Sequence, residues 1–296
     1  MIALPMTDTL RAVLKRYVGR HVNLRPASAA QLGYSLSVLE RHAGRAVTLR
    51  DCTTDFFCGW LRARLAGASK ATTKVDRGNI VTLLRFAHRE GLIDRVPEIP
   101  TIKQERKMPS AWTVEEVGQL LRAARSLTGY MRDLPITRSW WFTSFLLFLY
   151  DSGLRVNSAL TLRAEDVWLD RKTARIRAAT DKTWCDQVAC LSDALTEMLA
   201  DGMGGRQLVW PYPWHRRQLW RDLAAIRDDA NLPSGRDHGF HRMRKTHATQ
   251  CVISAGWEAA RVSLGHSSET MTRAYVDLSQ VQAVRRIELP RPKLTG

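Results

Sequence analysis

The stretch from His241 to Tyr275 gathers the residue types that could do chemistry together. It opens His241-Arg242-Met243-Arg244-Lys245-Thr246-His247-Ala248-Thr249, continues to Leu264-Gly265-His266, and reaches Tyr275 nine residues later. Pro and Gly are absent from Arg242 to Ser254, and Met243, Ala248, Cys251 and Val252 give a mostly apolar side at helical spacing. In such a helix His241 and Arg244, three residues apart, project from one face over the first turn. A helix N-terminus adds positive partial charge and free N–H groups, which suit a bound phosphate. Gly265-His266 reads as a turn presenting an imidazole, and Thr270 to Tyr275 as a short helix presenting a phenol. The chemistry implied is two bases, a guanidinium and a nucleophile gathered on one anion.

Composition agrees with an anionic partner. The 296 residues carry a net charge of +16 and a pI near 10.3, beyond what solubility requires and pointing to nucleic acid before membrane. Hydrophobic content of 45% suits folded cores, and the length suggests two domains. With no run of about 18 apolar residues and no charged-then-apolar start, the expected location is the cytoplasm, at the nucleoid, with no membrane partner. Cys52, Cys58, Cys185, Cys190 and Cys251 are scattered and odd in number, as reduced thiols would be. Cys185 and Cys190 lack a second pair at ligand spacing, so no metal or other cofactor is expected.

The elements that must position these residues begin with a helical domain over residues 1–100. Leu10, Val13, Leu14 and Val18 make one apolar stripe, and Pro26 opens a second helix to about His42. A third carries Phe56, Phe57, Trp60 and Leu61; a fourth runs from Lys70 to Glu90 and stops at Gly91. From Met1 to Ser110 there are 19 Lys+Arg against 9 Asp+Glu, a net of 19 − 9 = +10, which leaves +6 for the rest. That excess is what a DNA clamp would carry. Lys70, Lys74 and Arg77 lie at helical spacing and are its candidate DNA contacts.

Residues 101–111, with the run Lys103 to Lys107 before Pro109, read as an extended linker. The second domain, 112–296, opens with a capping box at Thr113 and Glu116. A very apolar helix from Trp140 to Tyr150 ends at Asp151-Ser152-Gly153, and Leu154-Arg155 begins the next. Ala174–Ala178 and Gln187–Leu191 read as two paired strands, with Thr180 to Trp184 as their hairpin. Ser192 starts another helix, and Gly202, Gly204 and Gly205 make a loop. The helix from His215 to Asp229 sets Arg216, Arg217 and Arg221 opposite Leu219, Leu223 and Ile226, and these arginines are further candidate DNA contacts. The fold class expected is mainly α, with a small antiparallel β-hairpin or sheet in the second domain.

Arg155 in Ser152-Gly153-Leu154-Arg155, Lys182 in a hairpin, His241-x-x-Arg244, Leu264-Gly265-His266 and Tyr275, in that order, resemble the tyrosine recombinase (phage integrase) family from about Thr113 to Tyr275. The helical N-terminal domain resembles that family's core-binding domain more loosely. The resemblance implies a two-domain, site-specific recombinase acting on double-stranded DNA without metal or ATP. It makes Tyr275 the nucleophile, and Arg155 and Arg244 the clamp on the nonbridging oxygens, with a hydrogen bond from His266. His241 becomes the proton acceptor and Lys182 the donor to the leaving 5′ oxygen. A type IB topoisomerase would share these residues, and a DNA-binding protein of the same fold that does not cleave is the alternative outside enzymes. Two positions depart from the family pattern: Ser158 stands where an acid is usual, and Lys245 where a second histidine often follows. In the tail, Asp277 is a plausible N-cap, and Leu278, Val281, Val284 and Ile287 form an apolar stripe. Relatives assemble four subunits on two duplexes, so this helix is expected to dock into a neighbouring protomer.

Overall fold

Capping residues set the helix starts. In the computed structural model, residues 8–105, 107–179 and 185–284 are described, and the chain divides into two compact units, Met1–Arg106 and Lys107–Gly296. The first unit holds α1 (Leu10–Arg20), α2 (Pro26–Ala43), α3 (Thr54–Gly67) and α4 (Lys70–Arg89). The side chains of Thr9, Thr53 and Ser69 each accept from an amide of the turn that follows, and Pro26 occupies a position whose N–H would have no helical partner. Leu10, Leu36, Leu39, Phe57, Trp60, Ile80 and Leu83 close the core. The buried Asp76 carboxylate ties three helices together, accepting from Ser35 at 2.7 Å and from Arg64 at 2.9 Å, so its charge is compensated where water is excluded. Arg77 donates to the carbonyls of Ile99 (2.5 Å) and Pro100 (2.6 Å), and Ile99 is buried on the same core. Its guanidinium therefore secures the segment after α4, whereas Lys70 and Lys74 stand exposed.

The second unit opens with α5 (Val114–Arg125), whose capping box is complete in both directions. In α6 (Arg138–Ser152), Trp141, Phe142, Phe145, Leu146, Phe148 and Leu149 are all buried, so the helix is the central rod of the core rather than an amphipathic cover. It ends at Gly153 in the left-handed region, and the short α7 (Val156–Leu160) follows. The sheet has three antiparallel strands in the order β1 (Val167–Trp168), β2 (Thr173–Ile176) and β3 (Gln187–Cys190), with Thr173 opposite Cys190. The two expected strands are thus shorter, and β1, only two residues long, is too brief to show alternation. The expected hairpin Thr180–Trp184, with Lys182, lies outside the described residues.

Next come α8 (Asp193–Gly202), α9 (Arg216–Asp229), α10 (Phe240–Ala255), α11 (Trp257–Ser263), α12 (Glu269–Arg273) and α13 (Leu278–Val284), with α10 packed against α6, α11 and α13. Gly202 belongs to α8, not to the expected glycine loop; the Trp140 indole fills the space where its Cβ would stand. Within its own chain, α13 packs Val281 among Ala248, Val252, Ala260 and Leu264. A short apolar stripe takes the nearest apolar surface, and α10 and α11 supply it. Among the described residues no helix is long and apolar enough to cross a membrane.

Candidate active site

The first turn of α10 is the foundation of the site. Arg244 is only 2% exposed, and its guanidinium is aimed by fixed acceptors. Nη1 donates to the Gly153 carbonyl at 2.7 Å; Nη2 donates to the Leu264 carbonyl at 3.0 Å and to His266 Nε2 at 2.9 Å. One side chain therefore joins three stretches distant in sequence: α10, the turn after α6, and the Leu264-Gly265-His266 turn.

The turn after α6 is built around glycine for a steric reason. Gly153 has φ +59°, and a Cβ there would lie 2.4 Å from the ring of His247. The close approach seats the turn on α10 and places Arg155, which caps α7, beside His241 and Arg244. His247 is itself held, with Nδ1 2.7 Å from the Tyr150 carbonyl and Nε2 2.7 Å from Ser263 Oγ. The carbonyl requires the proton on Nδ1, so Nε2 accepts from Ser263.

Tyr275 follows α12 and is half-buried. Its ring centroid is 5.2 Å from that of His241 and 5.1 Å from that of His266, and the Arg244 guanidinium carbon lies 5.2 Å from it. Arg155, His241, Arg244, Lys245 and Asn157 line a cavity of about 340 Å³. The structure thus brings together five of the six expected site residues: His241, Arg244, His266 and Tyr275 touch, and Arg155 joins through the cavity wall. The sixth, Lys182, is outside the described residues. Ser158, where an acid was expected, is buried on α7.

Electrostatics sharpen the roles. Although much of the His241 imidazole faces solvent, partial desolvation and the charges of Lys245, Arg244 and Arg155 hold its pKa below the ordinary histidine value. Burial, with Arg244 and Arg155, takes His266 down to about 4. With Arg244 donating to Nε2, the His266 proton sits on Nδ1 and is donated to Thr272 Oγ1 at 3.1 Å. Both nitrogens are thereby engaged inside the protein, and His266 helps orient Arg244. His247 and Thr272 carried no sequence signal beyond the helical pattern.

Of the other candidate DNA contacts, Arg217 and Arg221 are exposed on α9, and Arg216 donates to Asn157 at the cavity. Residues 112–281, more than half of the chain, match the family model described as the phage integrase family. The chain belongs to that family. The putative tyrosine recombinase XerC of Pseudomonas syringae is 24% identical over 196 residues, 63% of this chain and 41% of the relative, so the chain spans less than half of that relative's length. The tyrosine recombinase XerC of Mesorhizobium japonicum is 24% identical over 259 residues, 79% of this chain and 77% of the relative. Among solved structures, a lambda integrase tetramer bound to a Holliday junction is similar with TM-score 0.71 and 19% identity, over 98% of this chain and 81% of that one. The Tn1549 transposon integrase in complex with transposon right end DNA gives TM-score 0.74 and 13% identity, over 94% and 99%. At such identities the likeness is one of fold.

For this member of the family the histidines make stability depend on pH. His247 and His266 both titrate at about 4 in the folded chain, against about 6.5 when unfolded. Between those values the unfolded chain binds protons that the folded chain refuses, so this contribution is complete above about pH 6.5 and is lost as pH falls toward 4. The urea midpoint should fall over that window in the parent, and less so in His247→Gln. An equal fall in both would remove His247 as a source.

Proposed function

We propose that the protein is a site-specific DNA recombinase that cleaves and rejoins strands through a 3′-phosphotyrosyl intermediate. The observation that carries this reading is the phenol of Tyr275 set between His241 and His266, with the Arg244 guanidinium 5.2 Å from its ring centroid. A phosphodiester resists attack because charge builds on its nonbridging oxygens. Arg155 at the cavity wall and the buried Arg244 meet that charge with donors held in place. Tyr275 Oη attacks the phosphorus while its proton passes to His241, which its lowered pKa keeps neutral and able to accept. The bond to the 5′ oxygen breaks, and Lys182 supplies that oxygen's proton. Attack by a 5′ hydroxyl of another strand then reverses the steps and returns the proton to Tyr275. Bond energy is conserved in the phosphotyrosyl link, so the cycle is written without ATP, and the arginines take the part a metal ion would play. As with the lambda integrase tetramer on a Holliday junction, four copies would hold two duplexes, acting in the cytoplasm at the nucleoid.

Incubation with duplex DNA carrying a nick near the cleavage site traps the intermediate, because the short leaving strand diffuses away. A covalent protein–DNA band on a denaturing gel is expected. Binding without such a band would leave a non-cleaving DNA-binding protein.

The exposed Lys70 and Lys74, in the stretch Met1 to Ser110 of net charge +10 (19 − 9), support a second expectation. Affinity should fall steeply with salt, and the Lys70→Glu, Lys74→Glu double variant should bind more weakly with a slope lower by about two, roughly one per lost phosphate contact. An unchanged slope would remove α4 from the interface.

A further inference from the structure

Near the start of the second unit, Ala111 and Trp112 are both gripped by the elements that carry the reactive residues. Trp112 donates its N–H to Thr246 on α10 at 2.9 Å, and the Arg242 guanidinium lies 4.0 Å over its indole while donating to the Ala111 carbonyl at 3.0 Å. From the other side, the Ala111 N–H donates to Asp277 Oδ2 at 3.0 Å. Asp277 is 5% exposed and follows Tyr275 by two residues. Its own N–H donates to Thr249 on α10 at 2.9 Å, and its second oxygen accepts from Ser279 N–H at 3.1 Å and from Ser279 Oγ at 2.5 Å.

This carboxylate therefore has two separable duties. Oδ1 caps α13, a local task that any N-cap performs. Oδ2 reaches across 166 residues of sequence to the Ala111 amide, and also accepts from Gln280 Nε2 at 3.5 Å. Burial raises the pKa of such a group, but the donors Ser279, Ala111 and Gln280 outweigh it and hold Asp277 below its ordinary value, so it remains an acceptor on both sides.

We propose that Asp277 is a positioning residue that latches the backbone at Ala111, near the start of the second unit, to the stretch of chain bearing Tyr275, so that the nucleophile is aligned only while that contact is made. The inference rests on the reading of Tyr275 as the nucleophile.

The test is single-turnover adduct formation on nicked DNA, with DNA affinity measured separately on each variant. Asp277→Asn is nearly isosteric, but its amide nitrogen must face either the Ala111 N–H or the Ser279 N–H, so one donor is left against a donor. Ala111→Pro deletes the donor and leaves the carboxylate and its cap intact. Each should slow adduct formation roughly 10- to 100-fold, the cost of a misplaced reacting group, with DNA affinity within about threefold of the parent. Since both break one latch, the double variant should be no slower than the slower single variant. Ser279→Ala, which loses only a capping hydroxyl, should stay within about threefold of the parent. The proposal is overturned if Ala111→Pro and Asp277→Asn react at the parental rate, if their effects multiply, or if Ser279→Ala slows the reaction as much as they do. A parent that forms no adduct overturns the nucleophile reading itself and the latch with it, whereas a reactive parent with unaffected variants overturns the latch alone.

Discussion

Tyr275→Phe is expected to bind DNA as the parent does and to form no covalent adduct on nicked DNA. The substitution removes one oxygen and keeps the ring, so the contacts with His241, His266 and Arg244 at centroid distances of 5.2, 5.1 and 5.2 Å are preserved. No other group in the proposed cycle can replace the phenolic oxygen, because the base, His241, and the donors, Arg155 and Arg244, act around the nucleophile without forming the bond. The loss should be complete within the sensitivity of a denaturing gel using end-labelled DNA, while a gel shift gives the parental affinity. Adduct at the parental level in this variant would remove Tyr275 as the nucleophile.

Arg244→Lys is expected to lower the cleavage rate by about 10²–10³, the usual cost of deleting one preorganised donor at a developing oxyanion. Lysine keeps the charge but lacks the planar fork. The structure adds a second reason. Arg244 also ties the Gly153 and Leu264 carbonyls and His266 Nε2 into one arrangement, and an ammonium cannot reproduce all three bonds in those directions. A buried acceptor left unpaired costs about 1–3 kcal/mol, so a modest loss of stability should accompany the kinetic one. Because the Gly153 turn leads directly into Arg155, the Arg155→Lys and Arg244→Lys effects should combine less than multiplicatively. The measurements are single-turnover cleavage on nicked DNA and urea unfolding of the same preparations. A rate within about threefold of the parent would show that Arg244 does not meet the reacting phosphate.

Local features made much of the chain legible. The Thr113–Glu116 box, the run of apolar residues in α6 and the helix stop at Gly153 each act within a few residues, where helical spacing and capping chemistry leave a direct trace. The same holds for His241 and Arg244, which share one turn of α10. Short-range rules failed where an element was too brief to have a period, as with β1 (Val167–Trp168). They are silent on which partner a side chain takes: the spacing makes Arg77 a candidate DNA contact, and in the fold two carbonyls of its own unit accept from its guanidinium. The stripe after Asp277 is equally open in the sequence, and within its own chain Val281 packs on α10 and α11.

What the sequence by itself determined was the set of reactive groups and the helices that carry them, since residue type and local periodicity are intrinsic to the chain. Only the tertiary structure decided that Arg244 is aimed by the Gly153 and Leu264 carbonyls, that His247 fills the space a Cβ at Gly153 would need, and that Asp277 holds Ala111 from 166 residues away. Those contacts join stretches with no fixed offset between them, and they are selected by the close packing of the core around α6 and α10, which no local pattern encodes.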